Sequence, residues 1–179
     1  MLSRSSENNW YVITGAPSSG KTTLVNALQA RGYVISEESA RAYILEELEK
    51  GKKLKEIRKE ILSFQREILK RVVEKESKLN KEEVVFLDRG VPDTRGFLMY
   101  NNVEEPVDVK NVIDAVSYKK AFILDTLPLT PDEVRTEDAE AIKGLDRMLE
   151  ETYKGLNIPL IRVPVMPNED RVDFVLNNL

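Results

Sequence analysis

The sequence predicts an α/β protein, a parallel sheet joined by right-handed crossovers with helices packed on both faces. Three observations carry this. Short runs rich in β-branched and aromatic residues alternate with amphipathic stretches of helical period along the chain. Two of those runs, Val84-Val85-Phe86-Leu87 and Ala121-Phe122-Ile123-Leu124, are apolar without alternation, as strands buried on both faces are. Lastly, a glycine-bounded turn, Gly15-Ala16-Pro17-Ser18-Ser19-Gly20-Lys21-Thr22, joins the first strand to the first helix.

In chain order, residues 1–9 are polar and read as a flexible lead-in. Trp10-Tyr11-Val12-Ile13-Thr14 has strand composition. After the turn, Leu24, Val25 and Leu28 mark one face of a helix that Gly32 ends. Tyr33-Val34-Ile35 is a second short strand, and Ser36-Glu37-Glu38 leads into a helix carrying Ile44, Leu45 and Leu48. Glu37 and Glu38 at that helix start suit the positive end of its dipole. Beyond Gly51, Leu54, Ile57, Ile61, Phe64, Ile68 and Val72 recur in steps of three and four, which predicts one long amphipathic helix over the sheet. Residues 95–100 and 107–118 are helical in pattern. After the fourth strand, Asp125-Thr126-Leu127-Pro128-Leu129-Thr130-Pro131 is a proline-stiffened loop. Two helix starts follow, at Thr130 with Pro131 and at Thr136, and the helix runs through Leu145, Leu149 and Tyr153. Ile158-Pro159-Leu160-Ile161-Arg162-Val163 is the last strand and residues 170–176 the last helix. A chain of 179 residues without a linker-like segment reads as a single domain.

The turn fits G-x-x-x-x-G-K-[ST], the P-loop or Walker A pattern. Gly15 and Gly20 let the backbone curl so that successive amide N–H groups, with those of Ser18 and Ser19, point into one concavity. The helix opening at Lys21, Thr22 and Thr23 adds unpaired N–H groups and the positive end of its dipole. Lys21 supplies a mobile cation for the β- and γ-phosphates, and the Thr22 hydroxyl is a ligand for Mg²⁺. The expected cofactors are thus ATP, with GTP as the other candidate, and Mg²⁺.

Composition narrows the chemistry further. There is no Cys and no His, which excludes a thiol nucleophile, a disulfide, a thiolate or imidazole metal site and a histidine base. Acid–base work falls to Asp, Glu, Lys or Tyr, and any metal is a hard cation held by oxygens. A net charge of −4 with no basic stripe argues against a nucleic-acid polymer as partner. No early apolar run suits a signal peptide or a membrane span, so a cytoplasmic protein acting on a small-molecule acceptor is expected, as monomer or homodimer.

Three features separate the P-loop classes. The only approximation to a guanine-reading Asn-Lys-x-Asp is Asn80-Lys81-Glu82-Glu83, before the wrong strand and ending in Glu. Asp88, at the end of the third strand, is followed by Arg89 rather than by a Glu that would orient water, as a motor ATPase would have. A carboxylate beside an arginine is better suited to a metal–phosphate complex than to activating water. Small size agrees.

The succession of the P-loop, Glu38-Ser39-Ala40-Arg41, Leu87-Asp88-Arg89-Gly90-Val91-Pro92-Asp93 and Arg135-Thr136-Glu137 resembles the predicted AAA-type P-loop ATPase/kinase family. That family is similar to the ribosylnicotinamide kinase domain of bacterial NAD-synthesis regulators and to deoxynucleoside and thymidylate kinases. The resemblance spans the chain from Trp10 to the last helix. It implies the three-layer P-loop NTPase fold with five strands in order 2-3-1-4-5, which puts Asp88 beside Lys21 and Thr22. It further implies Asp88 as the metal- or substrate-side carboxylate and Arg89 as a contact to phosphate or a carboxylate. Glu38 becomes the base for the acceptor hydroxyl, Arg41 and Asp93 pocket residues, and Arg135 the cation of a lid segment at about 126–138. Asp132-Glu133-Val134 precedes Arg135 where relatives often carry a glycine. Two functions follow from this reading. One is an ATP-dependent phosphotransferase for a hydroxylated acceptor such as a nucleoside or nucleotide. The other is an NTP-hydrolysing regulatory protein without an acceptor.

Overall fold

In a computed structural model that describes residues 8–128 and 136–179, five strands form one parallel sheet. They are β1 (Trp10–Thr14), β2 (Val34–Ser36), β3 (Val85–Asp88), β4 (Lys120–Leu124) and β5 (Leu160–Val163), in the order β2-β3-β1-β4-β5. The helices are α1 (Lys21–Ala30), α2 (Ser39–Glu49), α3 (Leu54–Ile57), α4 (Ile61–Glu76), α5 (Asp93–Tyr100), α6 (Val107–Asp114), α7 (Thr136–Gly155) and α8 (Asn168–Leu176).

Alternation of side chains along each strand sorts the core into two layers. Tyr11, Ile13, Phe86, Phe122 and Leu124 point to the side covered by α1 and α8, where they meet Leu24, Leu28, Val172 and Val175. Trp10, Val12, Val85, Leu87 and Ala121 point the other way, toward Tyr118 and Tyr153. On that side α4, α5 and α6 pack through Leu69, Val72, Leu98, Val109 and Ile113, while α7 covers Ile123 through Leu145 and Leu149. The α/β fold expected from the sequence and the strand order that the family resemblance implies are both present.

Four readings change, one of them the helix expected over 107–118, which ends at Asp114. The periodic stretch after Gly51 is two helices, because the chain turns between Ile57 and Ile61 and Glu60 is extended (φ −103°, ψ 94°). Ile57, Ile61 and Phe64 still bury one stripe, so hydrophobic period alone cannot distinguish one helix from two that share a face. Asn8 and Asn9 are tied in rather than loose. The Asn8 side-chain amide donates to Ser117 O (2.6 Å), and the Asn9 N–H donates to Lys81 O (2.9 Å). The second helix spans residues 39–49, so Glu37 and Glu38 precede its first turn. Of the two helix starts expected after β4, Thr136 begins the described part of α7, and the one at Thr130 lies outside the described residues.

Candidate functional site

β3 lies directly beside β1, and the register that pairs Ile13 with Asp88 brings the Asp88-Arg89-Gly90 turn against the phosphate-type loop. The backbone leaves β1 through that loop with Ser18 and Gly20 at positive φ (61° and 81°). The positive φ of Gly20 favours glycine, and a Cβ there would lie tightly against Leu127 and the Arg171 guanidinium, at 3.2 and 3.1 Å. α1 then begins with no side-chain cap and no acidic residue in its first turn. Its free N–H groups and dipole are therefore available to an anion. Ser19 is buried with its Oγ lacking a hydrogen-bond partner, whereas Thr22 and Thr23 are exposed on the first turn.

Lys21 is buried, only 9% exposed. Burial, with Arg89 nearby, pushes its ammonium below its ordinary pKa, while Asp88, Glu38 and Asp93 pull it back. Burial likewise raises the Asp88 carboxyl, against the opposing pull of Lys21. Asp88 Oδ1 is buried and accepts no hydrogen bond. It does not cap the helix that follows, which begins at Asp93 and has no side-chain cap.

Arg89 has a left-handed backbone (φ 69°), an uncommon conformation that turns its side chain into the site. Its Nε donates to Glu38 Oε1 (3.0 Å) and its Nη1 to Asp93 Oδ1 (3.0 Å), with its guanidinium over the Phe97 ring at 5.2 Å. Burial lowers the guanidinium's pKa, but Asp93 and Glu38 more than offset it and leave it raised. Glu38 precedes α2 and makes no capping bond, so its carboxylate serves Arg89 rather than the helix end. Asp93 is the hub beneath. Besides Arg89 and Gly90 it accepts from the Thr14 hydroxyl (2.6 Å) and the Tyr153 hydroxyl (2.5 Å). Gly90 packs so close to Val12 and Tyr153 that a Cβ would lie 3.0 Å from Val12 Cγ2.

Lys21, Glu38, Arg89 and Asp93 line one cavity of about 490 Å³. Its other walls are apolar and aromatic, with Ile61, Phe64, Ile68, Phe97 and Tyr100, and they carry two amides, Gln65 and Asn101. Gln65 is 6% exposed, and among the described residues its amide has no hydrogen-bond partner. Arg58, at the turn between α3 and α4, also lines it.

The predicted site residues therefore divide. The P-loop, Lys21, Asp88, Arg89, Glu38 and Asp93 come together, while Arg41 is exposed and does not line the cavity. Arg135 lies outside the described residues, as does residue 129–135 of the expected lid segment. Sequence reading missed Phe64, Gln65, Phe97, Tyr153 and Arg58. A signal existed for Gln65, a polar residue beside Phe64 on an otherwise apolar stripe. For Tyr153 there was none, because a buried tyrosine at helical spacing reads as core.

A magnesium ion suits these residues. The orphaned buried oxygen of Asp88 is an anionic ligand in need of a partner, and Thr22 supplies a hydroxyl on the adjacent helix turn. Among the described residues no group of three or more carboxylates could hold a metal alone. Mg²⁺ bound through one carboxylate and substrate phosphates asks for no such group. No helix among the described residues is long and apolar enough to cross a membrane.

The same fold is found in solved kinases. A thymidylate kinase from Ehrlichia chaffeensis superposes with a TM-score of 0.68 at 16% identity, covering 94% of this chain and 96% of that one. The NadR protein in complex with NR gives 0.68 at 17% identity over 96% of this chain, which spans only 49% of NadR. A deoxyadenosine kinase from M. mycoides, with dCMP and dCDP bound, gives 0.63 at 19% identity, covering 94% and 97%. No curated protein matches the chain. The profile of the AAA domain family does match, over residues 10–171, and the chain belongs to that family.

Proposed function

We propose that the protein is an ATP-dependent phosphotransferase whose acceptor is a small hydroxylated molecule of the nucleoside or nucleotide class. One observation carries this reading. The P-loop lysine and the Glu38–Arg89–Asp93 ion cluster open onto a single cavity of about 490 Å³ with an aromatic and amide-bearing far wall. A hydrolase without an acceptor has no use for that space. The kinase neighbours favour the same class, with GTP as the alternative donor.

In this reading the amides of residues 15–23 and Lys21 hold the triphosphate. Mg²⁺, held by Asp88 and Thr22, supplies positive charge to the phosphate oxygens when bound. Arg89 keeps Glu38 at the cavity wall through Oε1, and Glu38 Oε2, which has no hydrogen bond to the described residues, takes the acceptor's hydroxyl proton. The anchored Asp93 fixes Arg89 and thereby Glu38. Phe64, Phe97 and Gln65 accept the planar, hydrogen-bonding end of the acceptor. Catalysis of this kind rests on positioning and charge.

The test is nucleotide consumption by purified protein with Mg²⁺ against a panel of nucleosides and nucleotides, with product mass measured. The expected result is turnover that saturates in one acceptor and yields its phosphate ester. Turnover indifferent to every acceptor would replace this reading with that of an NTP-hydrolysing regulatory protein.

A further inference from the structure

Arg171 lies on α8, outside the cavity and outside the ion cluster of Lys21, Asp88 and Arg89. It is nevertheless only 2% exposed. Its three donor nitrogens all go to backbone carbonyls, each on a different loop. Nη1 donates to Ser19 O (2.5 Å), Nη2 to Asp125 O (2.9 Å) and Nε to Pro164 O (3.0 Å). These loops follow β1, β4 and β5. Among the described residues no carboxylate bonds to Arg171. The Asp125 carboxylate acts on it from nearby but accepts from Arg162 Nη1 (2.7 Å). Carbonyls satisfy the hydrogen bonds of a guanidinium without cancelling its charge. A guanidinium stays protonated under burial.

Peptide geometry gives the carbonyl of Ser19 a second meaning. In a trans peptide the C=O and the following N–H point in opposite directions. Holding Ser19 O from behind therefore aims the Gly20 N–H away from Arg171, into the concavity that opens on α1. Leu127 acts alike one residue earlier, its N–H donating to Ser18 O (3.0 Å) and aiming the Ser19 N–H. The guanidinium is close to this peptide, since Nη1 would lie 3.1 Å from a Cβ on Gly20.

We propose that Arg171 is a positioning residue for polyphosphate binding, which aims the Gly20 amide from behind and places under the loop a positive charge whose counter-ion is the bound phosphate chain. This rests on the phosphate-site reading above. Its mark is dependence on ligand charge, because a merely structural arginine would weaken all nucleotides alike.

The experiment measures affinities of wild type, Arg171→Met and Arg171→Lys for ATP, ADP, AMP and inorganic triphosphate by calorimetry, with melting temperatures alongside. For Arg171→Met, ATP and triphosphate affinity should fall by about tenfold or more, ADP less and AMP least. Lysine keeps the charge but cannot bridge three carbonyls, so a loss of about threefold for ATP is expected. Unchanged ATP affinity in a folded Arg171→Met, or an equal loss for AMP and ATP, overturns the inference. Should the methionine variant not fold, wild-type triphosphate affinity in Arg171→Lys overturns it instead. A wild-type protein without affinity for ATP or triphosphate removes the phosphate-site reading together with the inference. Normal wild-type binding carried unchanged into the variants removes the inference alone.

Discussion

α4 runs along two cavities of similar size, and each is lined by a carboxyl group. The one described above, of about 490 Å³, takes Phe64, Gln65 and Ile68 from the first turns of α4. The other, of about 550 Å³, takes Val73 and Glu76 from its end and is walled by Trp10, Leu79, Val91, Val112 and Val116. In the first, Glu38 and Asp93 hold Arg89, and Lys21 stands at the open end of α1. In the second, Glu76 accepts a bond from the Tyr118 hydroxyl (2.6 Å), whose oxygen in turn accepts from the Val91 N–H (3.1 Å). Burial pushes the Glu76 carboxyl up to about 7, with only that tyrosine bond lowering it. Volume therefore does not identify a site. What separates the two cavities is partnership: in the first the carboxylates are held by a guanidinium, whereas in the second a carboxyl with no cation beside it drifts toward neutrality and becomes part of the packing.

Replacing Lys21 with Ala breaks the charged side of this comparison most severely. Turnover should vanish and triphosphate affinity should fall, since the loop loses its side-chain cation. Normal binding and turnover in that variant would erase the distinction between the two cavities. Asp88→Asn should keep the fold and lower metal-dependent turnover by about a hundredfold or more, because an amide offers no anionic charge to the metal. Activity per folded molecule is the quantity to compare, with melting temperature beside it. A large loss of stability at unchanged specific activity would make Asp88 structural.

Glu38→Gln sharpens the division inside the charged site. Acceptor-dependent transfer should fall by roughly a hundredfold while ATP affinity holds, as on removal of a general base. Wild-type transfer at neutral pH would deny Glu38 that role and leave it as Arg89's partner only.

The smallest effect belongs to the apolar side and is read in stability alone. The folded-state pKa of Glu76 is raised to about 7 from an ordinary 4.5, so the folded protein binds more protons than the unfolded chain between those values. Stability then falls as pH climbs from about 4.5 to 7, and the cost is fully present above pH 7. Glu76→Gln keeps an acceptor for Tyr118 and cannot ionise. It should match wild type near pH 4, below the unfolded pKa, and exceed it at pH 8 by about 1–3 kcal/mol in denaturant unfolding, with turnover unchanged. A pH-independent difference between the two proteins would contradict a Glu76 that titrates above its ordinary range.

The features legible in the sequence were those written in neighbouring residues. The α/β alternation, both central strands, the P-loop between strand and helix, and the Asp88-Arg89 pair at a strand end are all local. Backbone preference, hydrophobic period and glycine placement act over a few residues and survive any packing. Even there, period gave one helix where the chain makes α3 and α4, because both halves bury the same stripe.

Tertiary structure decided which charges meet. Arg89 reaches Glu38 from 51 positions away, and Tyr153 reaches Asp93 from 60, contacts that no spacing rule contains. Gln65 changed from a flaw in an apolar stripe to a group facing a cavity only when α4 was laid beside α5. Arg171, in a helix whose pattern is ordinary, reaches Ser19 from 152 positions away. A buried polar side chain must find partners wherever the folded backbone offers them. Its role is therefore set by the loops that the parallel sheet gathers at the ends of β1, β3, β4 and β5, and by nothing in the residues beside it in the chain.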